Sequence, residues 1–205
     1  MKLVAIVDYG MGNLHSVARA VEECGGTPLV TDRAEEIEKA THIVLPGVGA
    51  FPDGIRNLKA RSLDQVLRDQ VVGGQIPFLG ICLGMQMLAT KGREGAGAEG
   101  LGWIDGDVER LEPVGEDTRV PHIGWSEVVF ARESPLFRGI ESGHDFYFVH
   151  SYHLRCRRET DVVASTPYCG GFVSALSHGP IFGVQFHPEK SQRLGFQVIR
   201  NFLAL

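Results

Sequence analysis

Short apolar runs alternate with helix-like segments over the first two-fifths of the chain. The apolar runs lie at residues 3–7, 28–31, 42–45 and 78–82. Their unbroken hydrophobicity is typical of parallel strands that are covered on both faces. Helices are predicted between them, at residues 14–24, 34–39 and 53–71. Asn13 can cap the first of these helices, and the apolar residues at 14, 17, 18 and 21 give it one buried face. This order predicts an open, doubly wound and mostly parallel α/β sheet with helices on both faces.

The pattern changes beyond residue 91, where short alternating runs are separated by turn residues. The glycine-rich segment 92–100 predicts a flexible connector that is too short to link two domains. Antiparallel strands or sheet extensions are predicted at 107–111, 127–130, 146–152, 162–165, 173–177 and 181–186. Ser191 is expected to cap a last helix that buries Leu194, Val198, Ile199 and Phe202. We therefore expect one domain over residues 1–205, with a flavodoxin-like sheet and antiparallel extensions in its C-terminal half.

Composition narrows the possible partners and compartments. The chain has 205 residues and a formal net charge of −5 at pH 7, which argues against nucleic acid or an anionic membrane as the main partner. No apolar run approaches the ~18 residues of a membrane span, and residues 1–7 are too short an apolar core for a signal peptide. A cytoplasmic protein is therefore expected. The cysteines at 24, 82, 156 and 169 form no C-x-x-C pair, so no disulfide framework is expected.

One cysteine stands in a distinctive local motif. Gly80, Cys82 and Gly84 form a Gly-x-Cys-x-Gly sequence at the end of an apolar run, with a helix-compatible segment after it. This is the sulfur version of the nucleophile elbow, a sharp strand-to-helix turn that lifts one side chain above a sheet. A thiol at the start of a helix also feels the positive end of the helix dipole, which favours the thiolate. Cys82 is therefore the predicted nucleophile of an acyl-transfer enzyme.

A thiolate nucleophile needs a base, and the predicted base follows the strand at 181–186. His187 ends this strand and Glu189 lies two residues later, so both side chains would leave the same face of an extended backbone. Pro188 would keep that backbone extended. His187 can then move the proton while Glu189 orients the imidazole. The chain order of nucleophile, histidine and acid differs from that of α/β-hydrolases, which argues against that class.

Acyl transfer also requires donors for the developing oxyanion. The backbone N–H of Leu83, directly after the nucleophile, is the first predicted donor. The second is expected from Val48 or Gly49, in the Pro-Gly-Val-Gly turn after the strand at 42–45.

Other constellations favour different functions less strongly. Residues 10–15 resemble a dinucleotide-binding loop but have a histidine in place of the third glycine. The histidines at 144, 150 and 153 could suggest a metal site, but those at 150 and 153 would lie on opposite faces of a strand and are poorly placed to share an ion. No metal or cofactor is therefore expected. The arginines at 155, 157 and 158 are expected in a solvated loop. A non-enzymatic, flavodoxin-like binding module with a merely buried Cys82 remains an alternative.

The motifs together resemble a known family. Residues 80–86 and 186–189 resemble the class I (triad-type) glutamine amidotransferases. Within that class, the chain is similar to the glutaminase subunits of imidazole glycerol phosphate synthases. That narrower similarity is carried by residues 8–14, 45–51, 120–125, 148–152 and 187–191. The resemblance covers essentially the whole chain.

This resemblance implies hydrolysis of glutamine to glutamate and ammonia through a thioester on Cys82. It also implies a substrate pocket formed by Gly47, Gln86, His150, Ser151 and Tyr152. Gln86 lies one helical turn beyond the nucleophile; the alternative is that it is an exposed polar residue of that helix.

The resemblance further implies a partner, because free ammonia is largely protonated and diffuses away. In the family this partner is a (βα)₈-barrel synthase, or cyclase, subunit of a heterodimer. It makes imidazole glycerol phosphate and aminoimidazole carboxamide ribotide in histidine biosynthesis. Candidate docking residues are Pro121, His122, Trp125, Tyr147 and Lys190, with the alternative that Trp125 is buried in the core. A glutaminase subunit for a different ammonia acceptor is the nearest enzymatic alternative.

Overall fold

Residues 2–115 and 119–205 are described by a computed structural model of the protein. The strands, in chain order, are β1 Leu3–Val7, β2 Thr27–Thr31, β3 His42–Leu45, β4 Phe78–Ile81, β5 Ala89–Gly92, β6 Ala98–Glu99, β7 Ile104–Arg110, β8 His122–Phe130, β9 His144–His150, β10 Tyr152–Cys156, β11 Val162–Thr166, β12 Phe172–His178 and β13 Ile181–Val184. The α-helices are α1 Leu14–Glu23, α2 Ala34–Ile37, α3 Phe51–Ala60, α4 Leu63–Leu67, α5 Leu83–Gln86 and α6 Gln192–Leu203. Among the described residues, no helix has the length and apolar character needed to cross a membrane.

A nine-stranded sheet runs through the molecule in the order β2-β1-β3-β4-β13-β12-β11-β8-β9. The strands from β2 to β13 in this order pair in parallel, and those beyond β13 pair antiparallel. The predicted α/β fold with a parallel sheet and antiparallel extensions is therefore confirmed. β4 and β13 are direct neighbours, with Ile81 opposite Val184, so the two strands that precede Cys82 and His187 end side by side.

Helices cover both faces of this sheet because successive strand residues point to opposite sides. Along β1, Val4 and Ile6 belong to the hydrophobic cluster that includes buried residues of α1 and α6. Ala5 and Val7 belong to a second cluster, with buried residues of α2, α3 and α4. The unbroken apolar run at 3–7 thus reflects a strand buried on both faces, as predicted.

A second sheet, in the order β10-β7-β5-β6, contains part of the segment predicted as a flexible connector. That prediction is wrong: β6 pairs with β5, and the Glu94 carboxylate accepts a 2.7 Å hydrogen bond from the Phe51 N–H at the start of α3. The prediction of a solvated loop of arginines is confirmed only in part: the arginines at 155, 157 and 158 are all exposed, but they do not all lie in a loop. Arg155 lies in β10, and Arg157 donates to Asp105 and Asp107 at 2.8 and 2.9 Å.

Two further predicted elements are broken where the chain changes direction. The helix expected over 53–71 is interrupted at Ser62, whose left-handed φ of 56° separates α3 from α4, and a π-helical turn then follows. The strand expected over 146–152 divides at Ser151. β9 pairs with β8 in the large sheet, whereas β10 pairs with β7 in the small one. His150 and Tyr152 therefore lie where the two sheets meet.

One buried histidine gives the fold a pH-dependent stability. His42 is 1% exposed and packs edge-to-face on Phe202, and its Nε2 has no hydrogen-bond partner. Burial, helped by Lys2, lowers the pKa of His42 to about 4. As the pH falls below about 6.5, the unfolded chain takes up a proton here before the folded protein does, so the free energy of unfolding decreases.

His42→Phe is expected to remove this acid sensitivity while keeping the ring contact with Phe202. Between pH 7.5 and pH 5, the wild-type protein should lose about 2 kcal/mol of unfolding free energy more than the variant, since each pH unit of differential protonation is worth about 1.4 kcal/mol. Urea denaturation at the two pH values measures the difference. Equal losses in both proteins would contradict the assignment.

Candidate active site

Cys82 occupies the turn between β4 and α5 in a backbone conformation that non-glycine residues rarely adopt. Its φ is 54° and its ψ is −108°, and its N–H donates to Val184 O at 2.8 Å. The glycines on either side permit this turn. A Cβ at Gly84 would lie 1.8 Å from Leu45 O, and one at Gly80 would lie 2.8 Å from backbone atoms of Gly84. The structure thus has the strand–turn–helix geometry of a nucleophile elbow.

His187 and Glu189 form a buried pair, with His187 Nδ1 2.8 Å from Glu189 Oε1. Their side chains are 3% and 2% exposed. The proximity of the two side chains agrees with the sequence prediction, but the expected extended backbone is wrong. Pro188 begins a 3₁₀ turn, Pro188–Lys190, and this turn carries Glu189 back toward the imidazole.

The other imidazole nitrogen, His187 Nε2, is buried and has no hydrogen-bond partner. Burial favours the neutral ring, but the nearby Cys82 sulfur and the Glu189 carboxylate outweigh burial and raise the pKa of His187 to about 10. Nε2 is therefore left available near the sulfur, while Nδ1 is held by the carboxylate. This is the arrangement in which an imidazole can exchange a proton with a thiol.

The backbone of His187 is attached to β9 through Tyr147 and Ser191. The His187 N–H donates to Tyr147 O at 2.9 Å. The Ser191 hydroxyl donates to His187 O at 2.7 Å and accepts from the Tyr147 N–H at 3.0 Å. Ser191 occupies the N-cap position of α6, as predicted, but its Oγ bonds the His187 segment and makes no cap hydrogen bond.

Gln185 is a site residue that the sequence analysis missed. It is 0% exposed, and its Nε2 lies 3.5 Å from Cys82 Sγ. Gln86 lies behind it, 5% exposed, and donates from Nε2 to Gln185 Oε1 at 3.0 Å and to Tyr152 O at 2.7 Å. Gln86 is thus not an exposed helix residue. A polar residue inside the apolar run at 181–186 was the signal for Gln185.

The turn after β3 lies against the start of α5. A Cβ at Gly47 would lie 2.2 Å from Tyr9 Oη and 2.9 Å from Leu83 Cβ, so only glycine allows this approach. Val48 is 44% exposed, and Gly49 has a φ of 107°. The predicted oxyanion segment therefore borders Leu83, with Val48 and Gly49 at the rim of the site.

His150 connects the pocket residues to a second histidine. Its Nδ1 lies 2.9 Å from Tyr152 O, and its Nε2 lies 3.2 Å from His122 Nδ1. Because a carbonyl only accepts, His150 Nδ1 carries the proton and Nε2 accepts from His122. Burial lowers the pKa of His150 to about 3, so it is neutral at physiological pH. Ser151 lies between His150 and Tyr152 and is half-buried.

The predicted docking residues are divided between the surface and the interior. Trp125 is 46% exposed and packs edge-to-face on Tyr147 at 5.9 Å, and Lys190 Nζ lies 5.8 Å from the Tyr147 ring centroid. Pro121 is also exposed. The alternative of a core position for Trp125 is thus wrong. His122, in contrast, is 3% exposed and lies beneath this surface.

Among the described residues, no group of three or more histidine, cysteine or acidic side chains is placed to hold a metal ion. This includes the histidines at 144, 150 and 153.

Comparison with known proteins identifies relatives along the whole chain. The imidazole glycerol phosphate synthase subunit HisH of Moorella thermoacetica is 48% identical over 98% of this chain and 94% of its own. The corresponding protein of Campylobacter jejuni, HisH 1, is 42% identical over 99% of this chain and 100% of its own.

Solved structures show the same fold at lower identity. A protein from Thermoplasma acidophilum described as part of a putative GMP synthase superposes with a TM-score of 0.75 at 23% identity, covering 100% of this chain and 93% of that one. A glutamine amidotransferase structure gives 0.76 at 18% identity, covering 98% and 97%. Residues 5–205 match the family described as glutamine amidotransferase class-I. The chain therefore belongs to the class I glutamine amidotransferases.

Proposed function

We propose that this chain is a single-domain glutaminase in which Cys82, His187 and Glu189 form the catalytic triad. The observation that carries the proposal is the buried 2.8 Å His187–Glu189 pair, whose free Nε2 lies near a sulfur on a strained elbow. Membership of a glutamine amidotransferase family supports glutamine as the acyl donor.

The reaction follows from this geometry. The Cys82 thiolate attacks the side-chain carboxamide carbon of glutamine, and a C–S bond forms as the carbonyl oxygen becomes an oxyanion. The Leu83 N–H, with a backbone N–H of Val48 or Gly49, stabilises that oxyanion. His187 then gives a proton to the departing ammonia as the C–N bond breaks. Water, deprotonated by His187, attacks the thioester carbon, and the C–S bond breaks to release glutamate.

Substrate glutamine is proposed to bind beside the elbow, against Gly47, Gln86, His150, Ser151 and Tyr152. Both N–H groups of Gln86 are already used within the protein, so this residue can offer the substrate only its Oε1 acceptor. That acceptor suits an ammonium or amide group of the substrate.

The ammonia is proposed to pass to a (βα)₈-barrel cyclase subunit in a cytoplasmic heterodimer. That subunit would make imidazole glycerol phosphate and aminoimidazole carboxamide ribotide in histidine biosynthesis. Relatives that match nearly end to end are named as subunits of imidazole glycerol phosphate synthase. A reducing compartment keeps the Cys82 thiol available. The surface formed by exposed Pro121, Trp125 and Lys190 with half-buried Tyr147 supports a docking site, with His122 beneath it.

Mixing the chain with a barrel cyclase and its ribotide substrate should make product in proportion to glutamine consumed. Trp125→Ala is expected to weaken heterodimer formation at least about tenfold, because a half-exposed tryptophan is a strong candidate for an interface hot spot. Isothermal titration measures the affinity, and ammonia release measures coupling. Ile123→Ala, at another exposed β8 position, separates a general loss of apolar surface from loss of the tryptophan. Stimulation by a different ammonia acceptor, and not by this one, would overturn the proposed partner.

A further inference from the structure

Gln185 is a fully buried amide beside the Cys82 sulfur, and no step of the reaction described above uses it. Its backbone N–H bonds Ser174 O at 2.9 Å, which holds the residue next to β12. An amide can be buried at low cost only where its donors and acceptors are bonded. Its side-chain bonds go to Gln86 and to Cys82, so its position is determined by hydrogen bonds to the nucleophile and to a neighbouring amide.

The side-chain atom that Gln185 presents to the sulfur can be assigned from the hydrogen bonds that connect Tyr152 O, Gln86 and Gln185. Tyr152 O can only accept, so the Gln86 atom 2.7 Å away is the donor Nε2. The same Nε2 lies 3.0 Å from Gln185, whose atom there must be the acceptor Oε1. Gln185 Nε2 is left facing Cys82 Sγ at 3.5 Å. Turning either amide would place two donors or two acceptors together, so the sulfur faces an N–H group.

We propose that Gln185 is a positioning residue that holds the Cys82 sulfur and favours its thiolate, and that Gln86 supports it by fixing its amide. The proposal rests on Cys82 being the nucleophile. A hydrogen bond to a charged acceptor is stronger than one to a neutral acceptor, so an N–H aimed at sulfur stabilises the thiolate more than the thiol. The neutral thiol also donates to Val149 O, 3.9 Å from the sulfur, a bond that the thiolate cannot make.

This function differs from substrate binding because it acts before glutamine arrives. A residue that only bound substrate would change KM and leave the reactivity of the free thiol unaltered. A residue that positions the sulfur changes that reactivity in the absence of substrate. The reaction of the free enzyme with a small electrophile therefore distinguishes the two functions for both Gln185 and Gln86.

Alkylation of Cys82 by iodoacetamide, followed at the Cys82 peptide by mass spectrometry from pH 5 to pH 10 without glutamine, tests the proposal. Gln185→Met keeps the side-chain length but has no N–H. We expect the midpoint of its alkylation profile to move up by about one pH unit, with the rate on the acid side of the midpoint falling about tenfold. Its kcat should fall at least about tenfold with KM within about threefold. Gln86→Met should move the profile in the same direction.

Gln197→Met carries the same substitution on α6, where Gln197 bonds Asn201, and it should keep the wild-type profile. Gln185→Glu retains an acceptor for Gln86 but places an ionisable carboxyl beside the sulfur, and it provides a second test if the methionine variant does not fold. Its profile should also move up. Unmoved profiles in folded Gln185 variants would overturn the inference, whereas full glutaminase activity of Cys82→Ala would instead overturn the proposed function.

Discussion

Cys82→Ala is expected to reduce glutamine hydrolysis at least about 10³-fold, because the proposed thioester forms on the sulfur that this substitution removes. The sulfur is the only heavy atom lost, and alanine has backbone preferences similar to those of cysteine at the φ of 54°. The fold should therefore be retained, with a melting temperature close to that of the wild-type protein. Glutamate release in the presence of the cyclase measures the loss.

Two controls make this result specific. Cys24→Ala removes a half-buried thiol that bonds Phe196 O far from the site, and it should keep nearly full activity. The Cys82→Ala heterodimer should still make product from ammonium salts, since only the supply of ammonia from glutamine is removed. Glutaminase activity within tenfold of wild type would show that Cys82 is not the nucleophile.

Glu189→Gln is expected to lower kcat by roughly 10³–10⁴-fold, comparable to the loss seen when the orienting carboxylate of a catalytic triad is made neutral. The amide retains the size of the carboxylate but no longer stabilises the imidazolium, and it can bond the wrong tautomer of His187. Steady-state kinetics with saturating glutamine measures the change. Glu127→Gln, on the exposed face of β8, is a matched control that should leave kcat unchanged.

The same variant should alter the pH dependence of stability. The folded-state pKa of His187, about 10, exceeds its ordinary value of 6.5, so its stabilising contribution is fully present below pH 6.5 and is lost as the pH rises toward 10. Without the Glu189 charge this alkaline loss should be smaller. Urea denaturation at pH 6.5 and pH 9.5 tests the sign, and an equal loss in both proteins would exclude ionic stabilisation of His187 by Glu189.

The sequence predicted those parts of the site that are formed by residues close to one another along the chain. The elbow at Cys82 and the pairing of His187 with Glu189 are local, because their spacing along the chain places the groups close together. The contact of Gln185 with the sulfur depends on β13 lying beside β4, which no local pattern specifies. The hydroxyl of Ser191 illustrates the same limit: its position suited a helix cap, but packing of β9 against the His187 segment gave it other partners.

The fold shows the same difference between features set by local sequence and features set by distant contacts. The strand at 3–7 was correctly placed because a strand buried on both faces has an unmistakable composition. The break at Ser62 and the change of sheet at Ser151 were not predicted, since both depend on which distant strand or part of the core the following residues pack against. Likewise, the burial of His122 depends on which face of β8 packs against the hydrophobic core. Its proline- and tryptophan-containing motif does not specify that face.

The adjacency of β4 and β13 has a consequence for the newly made protein. Cys82 leaves the ribosome well before His187, and at translation rates of about 5–20 residues per second the intervening chain takes roughly 5–20 s to synthesise. During that interval the nascent chain carries the thiol without the strand that places His187 beside it. In the proposed mechanism, the site is therefore assembled only when the C-terminal strand inserts beside β4, so an interrupted translation product should not release ammonia.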